Sequence, residues 1–163
     1  MSTERQSLFE VLTYAECVAL LDQELVGRLA WTTEYGPTIV PVNYAWDGQA
    51  IVIRSDPGMK QLALHQAQAA FEIDRIDRNR KEGWSVVIHG MADETPPNEW
   101  PTTARKPNEL YLEPWAPGDK VHWIRIEPRT ITGRRIRQVS ELDTNPFWLL
   151  TNYMVPPHQP PAS

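Results

Sequence analysis

The chain carries one cysteine, Cys17, in 163 residues. An internal disulfide is therefore excluded, and a reducing compartment such as the cytoplasm fits. Cys17 falls beside Val18 in a helical pattern, where a small apolar filler is expected. No apolar run approaches the ~20 residues that cross a bilayer. The polar start, Met1 to Ser7, lacks the charged-then-apolar order of a secretory leader. Positive charge is also scarce: 16 Lys and Arg against 21 Asp and Glu leave a net charge of −5. A general nucleic-acid binder needs a basic face, which this balance does not supply. Nucleophile elbow, Walker loop, HExxH and Rossmann glycine patterns are missing, and there are no repeats. Ser55 and Ser85 have no sequence context for nucleophilic attack. The four histidines, His65, His89, His122 and His158, are scattered.

What is present centres on one stretch, Ile39 to Lys60, IVPVNYAWDGQAIVIRSDPGMK. Ile39, Val40, Val42 and Tyr44 are strand formers. Asp47-Gly48 predicts a type I′ hairpin turn, in which both central residues take positive φ. Ala50 to Ile53 resumes the strand. Arg54, Ser55, Gly58 and Lys60 then supply two cations, a hydroxyl and a glycine that admits close backbone approach. That set suits a phosphate at the end of a sheet. The plainer alternative is a hairpin with a solvated rim.

The remaining pattern is mostly β. Thr13 and Glu16 form a capping box, T-x-x-E, opening a helix over Tyr14 to Glu24 with Val18, Leu21 and Leu25 on one face. Strands are expected at Gly27 to Thr33, Ala69 to Ile76, Gly83 to Asp93 and Lys120 to Ile126, with Thr130 to Ile136 continuing after Pro128. Met59 to Gln66 reads as a short helix. Glu72, Asp74 and Asp77 alternate with Phe71, Ile73 and Ile76, giving a half-buried strand with a wet acidic face. With no His or Cys spaced among them, these carboxylates make no metal set. Pro96 to Asn108 is expected outside the barrel as loop or short helix. Residues 1 to 7 are expected to be loose. At least six strands joined by local hairpins favour a closed or partly closed antiparallel barrel, since closure removes exposed edges, with a β-sandwich as the alternative. Residues 8–140 form one domain. Residues 141–163 are a Pro-rich extension with aromatics at Phe147, Trp148 and Tyr153.

An ordered series of short motifs spans roughly residues 8 to 136. It runs through Val26-Gly27-Arg28-Leu29-Ala30, Gly36-Pro37, Pro41-Val42-Asn43-Tyr44, Arg54-Ser55 and Lys60. It continues through Phe71-Glu72-Ile73-Asp74, Gly83-Trp84-Ser85 to His89-Gly90, Pro114 to Gly118, His122 to Ile126 and Ile131 to Arg134. This series resembles the pyridoxamine 5′-phosphate oxidase-like flavoproteins, in particular their short actinobacterial and nitroimidazole-resistance-type members. The resemblance implies a split β-barrel with a few helices, binding FMN at a homodimer interface. It places Pro41, Val42 and Asn43 along the flavin ring edge, Arg54, Ser55 and Lys60 at the phosphate, and Trp84 and Ser85 near the flavin. Trp115 and Trp123 are further candidates to cover the ring, or to serve core or dimer packing. The resemblance implies a flavin-dependent oxidoreductase acting on a small organic substrate, with the flavin doing the electron chemistry and no side chain required as acid or base. A deazaflavin-dependent reductase and a non-enzymatic flavin or haem carrier use the same fold. The longer acidic tail of a deazaflavin would favour extra basic residues near the groove, and Arg28, Arg54, Lys60 and Arg125 assign to neither type of flavin over the other. The substrate-phosphate arginine segment of true pyridoxamine phosphate oxidases is not recognisable here, which argues against pyridoxine biosynthesis.

Overall fold

The computed structural model describes residues 6–56 and 67–139. Lys60, the expected helix Met59 to Gln66 and the extension 141–163 lie outside the described residues. Within them, no helix is long and apolar enough to cross a membrane.

Eight strands form one antiparallel sheet that curls into a split barrel, in the order β3-β2-β6-β7-β8-β5-β4, with β1 added on β8. The strands are β1 (Gln6–Leu12), β2 (Val26–Thr33), β3 (Gly36–Asn43), β4 (Ala45–Trp46), β5 (Ile51–Ser55), β6 (Ala67–Asp77), β7 (Glu82–Glu94) and β8 (His122–Val139). Among the described residues one α-helix, α1 (Tyr14–Leu21), packs Cys17, Leu20 and Leu21 into the barrel core. Its capping box forms as expected: Glu16 N–H donates to Thr13 Oγ1 at 3.3 Å, and Thr13 N–H donates to Glu16 Oε2 at 2.8 Å. The helix is a turn shorter than its apolar pattern. Cys17, Leu20 and Leu21 are its buried residues, while Leu25 lies past its end and is 47% exposed.

The core follows strand alternation. Leu29, Phe71, Ile73, Val86, Ile88, Ile124, Ile126 and Ile131 point inward with Tyr44 and Trp46. Tyr44 donates its hydroxyl to Leu21 O at 2.7 Å and packs edge-on against Phe71, 4.8 Å between ring centres. Burial raises the Tyr44 pKa, so the phenol stays protonated. Cys17 is fully buried, and burial pushes its thiol up to about 11. A thiol reagent at pH 7.5 should therefore leave the folded protein untouched and modify one equivalent in urea. Reaction of the native protein on mixing would contradict this packing.

Four sequence expectations change. Residues 1 to 7 are not all loose, because β1 begins at Gln6 and pairs with β8 from Val139 to Gly133. Ile39 to Tyr44 does not pair with Ala50 to Ile53. Ile39 to Asn43 belong to β3, whose partner is β2, Tyr44 lies between β3 and β4, and only Ala45 and Trp46 pair with β5. The Asp47-Gly48 turn is not type I′. Gly48 has φ of +97°, but Asp47 is absent from the positive-φ residues, and its carboxylate instead accepts from Gln49 N and Ala50 N at 2.9 and 2.7 Å. That geometry is an Asx turn. Finally, Lys120 to Ile126 and Thr130 to Ile136 are one strand of 18 residues, β8, running through Pro128.

Residues 95–121 leave the barrel between β7 and β8 and contain two short 3-10 turns, Pro97–Glu99 and Pro107–Glu109. Trp100 and Ala104 from this excursion pack on Val52 and Trp123, so β5 is covered on both sides. The rest of the outer wall, on β1, β2, β3, β6, β7 and the second half of β8, has no such cover among the described residues.

Candidate functional site

The uncovered outer wall has a defined residue pattern. One cross-strand row is Pro41, Arg28, Glu72, Val87 and Thr132; the next is Ile39, Ala30, Ala70, His89 and Thr130. Toward the β1 edge, Asp74, Ser85, Arg134 and Val11 align, followed by Ile76, Gly83, Ile136 and Phe9. Large apolar side chains stand exposed on this wall: Ile76 at 68%, Ile39 at 66%, Ile136 at 43%, with Phe9, Val26 and Val11 near 37%. Isolated exposed apolar residues need no explanation, but a contiguous patch, here Ile76, Ile136 and Phe9, marks a binding surface.

A groove of about 440 Å³ crosses this wall, lined by Phe9, Ile76, Trp84, Ser85, Ile136 and Arg134 with the carboxylates of Glu72, Asp74 and Glu82. Its charges are largely committed. Arg28 Nη1 binds Glu72 Oε2 at 2.7 Å and Asp74 Oδ1 at 2.6 Å. These two carboxylates raise the Arg28 pKa further, Asp74 contributing most. Arg134 lies over the Phe9 ring, 5.7 Å from its centre. The Trp84 ring is half-buried against the core, with the Arg75 guanidinium 5.9 Å from its centre. Flat rings, aliphatic walls and donors at the rim suit a planar heterocycle.

The other sequence-designated residues distribute around this wall. Pro41 is exposed on it, and Val42 turns inward and packs against the core. Asn43 has both ends of its amide occupied: Nδ2 donates to Leu25 O at 3.4 Å, and Oδ1 accepts from Trp115 N at 2.9 Å. Its role in the fold is to hold the Trp115 loop, whose indole is 70% exposed. Arg54 and Ser55 sit at the end of β5, which neighbours β8 rather than β7. Arg54 donates twice to Lys120 O, at 3.0 and 2.7 Å, and stacks 5.1 Å from the Trp123 ring centre. Ser55 is 2% exposed and donates to Asp56 O at 3.2 Å. The structure thus brings Trp84 and Ser85 together in a groove. It shows Arg54 engaged with the excursion, and Lys60 lies outside the described residues. Arg125, named above among the basic residues near the groove, is 3% exposed and pairs with the fully buried Asp47 at 2.9 Å. Among the described residues no group of three His, Cys, Asp or Glu could hold a metal ion.

Arg129 reaches the wall through a strand bulge, and Arg134 and His89 through the cross-strand register. Neither the bulge nor the register is visible in a local pattern.

The family model for pyridoxamine 5′-phosphate oxidase matches residues 13–135. The chain belongs to this family. An uncharacterized protein of Mycobacterium tuberculosis is 32% identical over 127 residues, covering 74% of this chain and 81% of that protein. A conserved protein of unknown function from Corynebacterium diphtheriae is 30% identical, with TM-score 0.61, covering 80% of this chain and 98% of that one. The FAD binding protein from Mycobacterium smegmatis is 26% identical, with TM-score 0.57, covering 78% and 98%. The fold extends to a Bacteroides thetaiotaomicron protein named for 5-nitroimidazole antibiotic resistance, 11% identical with TM-score 0.62, covering 83% and 92%, a likeness of fold alone.

Proposed function

We propose that this chain is a flavin-binding oxidoreductase, resident in the cytoplasm, that holds FMN on the outer wall at a homodimer interface and reduces or oxidises a small organic substrate. The observation that carries the reading is the uncovered apolar wall, with the Trp84–Ser85 groove cut into it. The structural relative named as an FAD binding protein supports a flavin as the ring that this groove takes. A bound flavin supplies reversible hydride and one-electron transfer. The chain supplies the rest. Trp84 and Phe9 offer apolar faces, and Ser85 and Arg134 offer donors at the groove's polar edge. A second subunit on Ile39, Ile76 and Ile136 excludes water, which strengthens each polar contact inside. No side chain of this wall is required to transfer a proton for such chemistry.

An absorption spectrum of the purified protein tests the cofactor. Bands near about 370 and 450 nm are expected for flavin. A single band near about 420 nm would replace it by a deazaflavin, and an intense Soret band by haem. The mass of the acid-released flavin separates FMN from FAD. A colourless protein that also fails to take up FMN would remove the reading.

Sedimentation tests the dimer. Ile76 recurs twice across a two-fold interface, and burying each copy is worth roughly 1.5–3 kcal/mol. Ile76→Asp should weaken dimerisation by about a hundredfold or more, with flavin affinity falling in parallel. A wild-type monomer that still binds FMN would separate the cofactor from the interface.

A further inference from the structure

A second groove, about 340 Å³, lies on the same wall on the other side of the Arg28–Glu72 row. Thr32, Gln68, Ala70, His89, Gly90 and Arg129 are among the residues that line it. None of these is acidic, in a chain whose net charge is −5. None of the ion pairs among the described residues involves Arg129 or His89. Both side chains are exposed. The Trp84–Ser85 groove differs in this respect, since Glu72, Asp74 and Glu82 line it.

Local backbone geometry builds this arrangement. Along β7 and β8, Gly90 pairs with Pro128 and His89 with Thr130, so Arg129 is an extra residue in the ladder. Such a bulge re-aims a side chain. Two sequence features accommodate it. Pro128 has no N–H to leave unpaired. Gly90 has no Cβ, and a Cβ there would lie 2.1 Å from Glu127 O. The result sets a guanidinium beside an imidazole, with the Thr32 hydroxyl and the Gln68 amide lining the same groove. This donor set matches the oxygens of a phosphate or carboxylate.

We propose that the His89–Arg129 groove binds the phosphate or carboxylate of an anionic small molecule. Two sources share this chemistry: a separate anionic ligand, such as the substrate, and the phosphate of the flavin itself. The inference goes beyond the flavin reading, because the groove's charge and shape stand without it.

Titration with inorganic phosphate at constant ionic strength, followed by amide NMR shifts, tests the proposal. Saturable shifts at Gly90 and Gln68 are expected. Arg129→Gln should weaken binding at least about tenfold, and Arg129→Lys less, since it keeps the charge and loses the fork. His89→Gln should weaken it too. Arg129 is exposed, so these variants are expected to fold, and their amide spectra report that directly. An FMN titration of the same variants identifies the source. Unchanged FMN affinity assigns the groove to a separate anionic ligand. A matching loss of FMN affinity, with phosphate competing against FMN, assigns it to the cofactor's phosphate. Absence of saturable phosphate binding, or equal binding by wild type and Arg129→Gln, would overturn the proposal. If FMN binds no variant and not the wild type, the flavin reading fails, while the phosphate titration still decides the groove.

Discussion

Asp47→Ala should cost about 3–5 kcal/mol of folding stability, the range for breaking a buried ion pair by removing one partner. Asp47 is fully buried and Arg125 is 3% exposed, their charged atoms 2.9 Å apart. Among the described residues, removing the carboxylate leaves the guanidinium with one other ion-pair partner, Glu127, 2.9 Å from Nη1. Glu127 is 70% exposed at its side chain, so water and salt screen its charge. The loss extends beyond the pair. Asp47 Oδ1 also accepts Gln49 N and Ala50 N, and its carbonyl accepts Arg105 N at 2.7 Å. Arg105 reaches back to Trp46 O and pairs with Asp22 at 2.8 Å. Arg125 lies 5.5 Å from the Trp100 ring centre. The carboxylate thus ties the β4–β5 turn, β8 and the excursion into one unit. Asp47→Asn keeps the turn acceptor and drops the charge, so it should fall between wild type and Asp47→Ala. Urea midpoints read by tryptophan fluorescence measure all three. A change of less than about 1 kcal/mol for Asp47→Ala would mean that this pair behaves as a surface one.

The same pair shows what a sequence pattern conceals. Asp47-Gly48 is a correct turn signal, and the turn is there. The Asp47 carboxylate closes the turn locally through Oδ1 and binds, through Oδ2, a cation 78 residues away. Arg125 sits on β8, outside the barrel core. The excursion then buries it, which no local period reports. Arg54 is similar: its partner, the Lys120 carbonyl, is 66 residues distant. By contrast the capping box at Thr13 and Glu16, three residues apart, was fully legible because its energetics are local. The inward Phe71 and Ile73 of β6 were legible for the same reason, a period of two, whereas Ile76, expected on the same side, falls out of that alternation and is 68% exposed on the outer wall. Strand β1 was obscured by the polar start, although Leu8 and Leu12 are buried at 5% and 7%. Pro128 split β8 in the sequence because proline removes a ladder donor, and a bulge is where that loss is tolerated. The Trp84–Ser85 groove was legible only through resemblance. The His89–Arg129 groove was not legible, since register alone creates it.

Gly90→Ala should be the most damaging single-methyl change on the outer wall, costing about 3 kcal/mol or more, at or above the usual overpacking range. The added Cβ would meet Glu127 O at 2.1 Å and Glu127 C at 2.9 Å. Both are backbone atoms of the paired strand, so no side-chain rotation relieves the contact. The ladder must open at the bulge, and β7 to β8 is the longest pairing in the sheet. Gly48→Ala provides a control of different origin. Nothing lies within 4 Å of its Cβ, and only the φ of +97° is unfavourable, which costs roughly 1–2 kcal/mol. Gly90→Ala should therefore exceed Gly48→Ala in urea denaturation. It should also shift the amide signals of His89 and Thr130, the pair that follows the bulge, while those of β2 and β3 stay in place. Equal stabilities for the two variants, with unmoved His89 and Thr130 signals, would mean that the strands relax around the methyl and that the bulge is not fixed by Gly90.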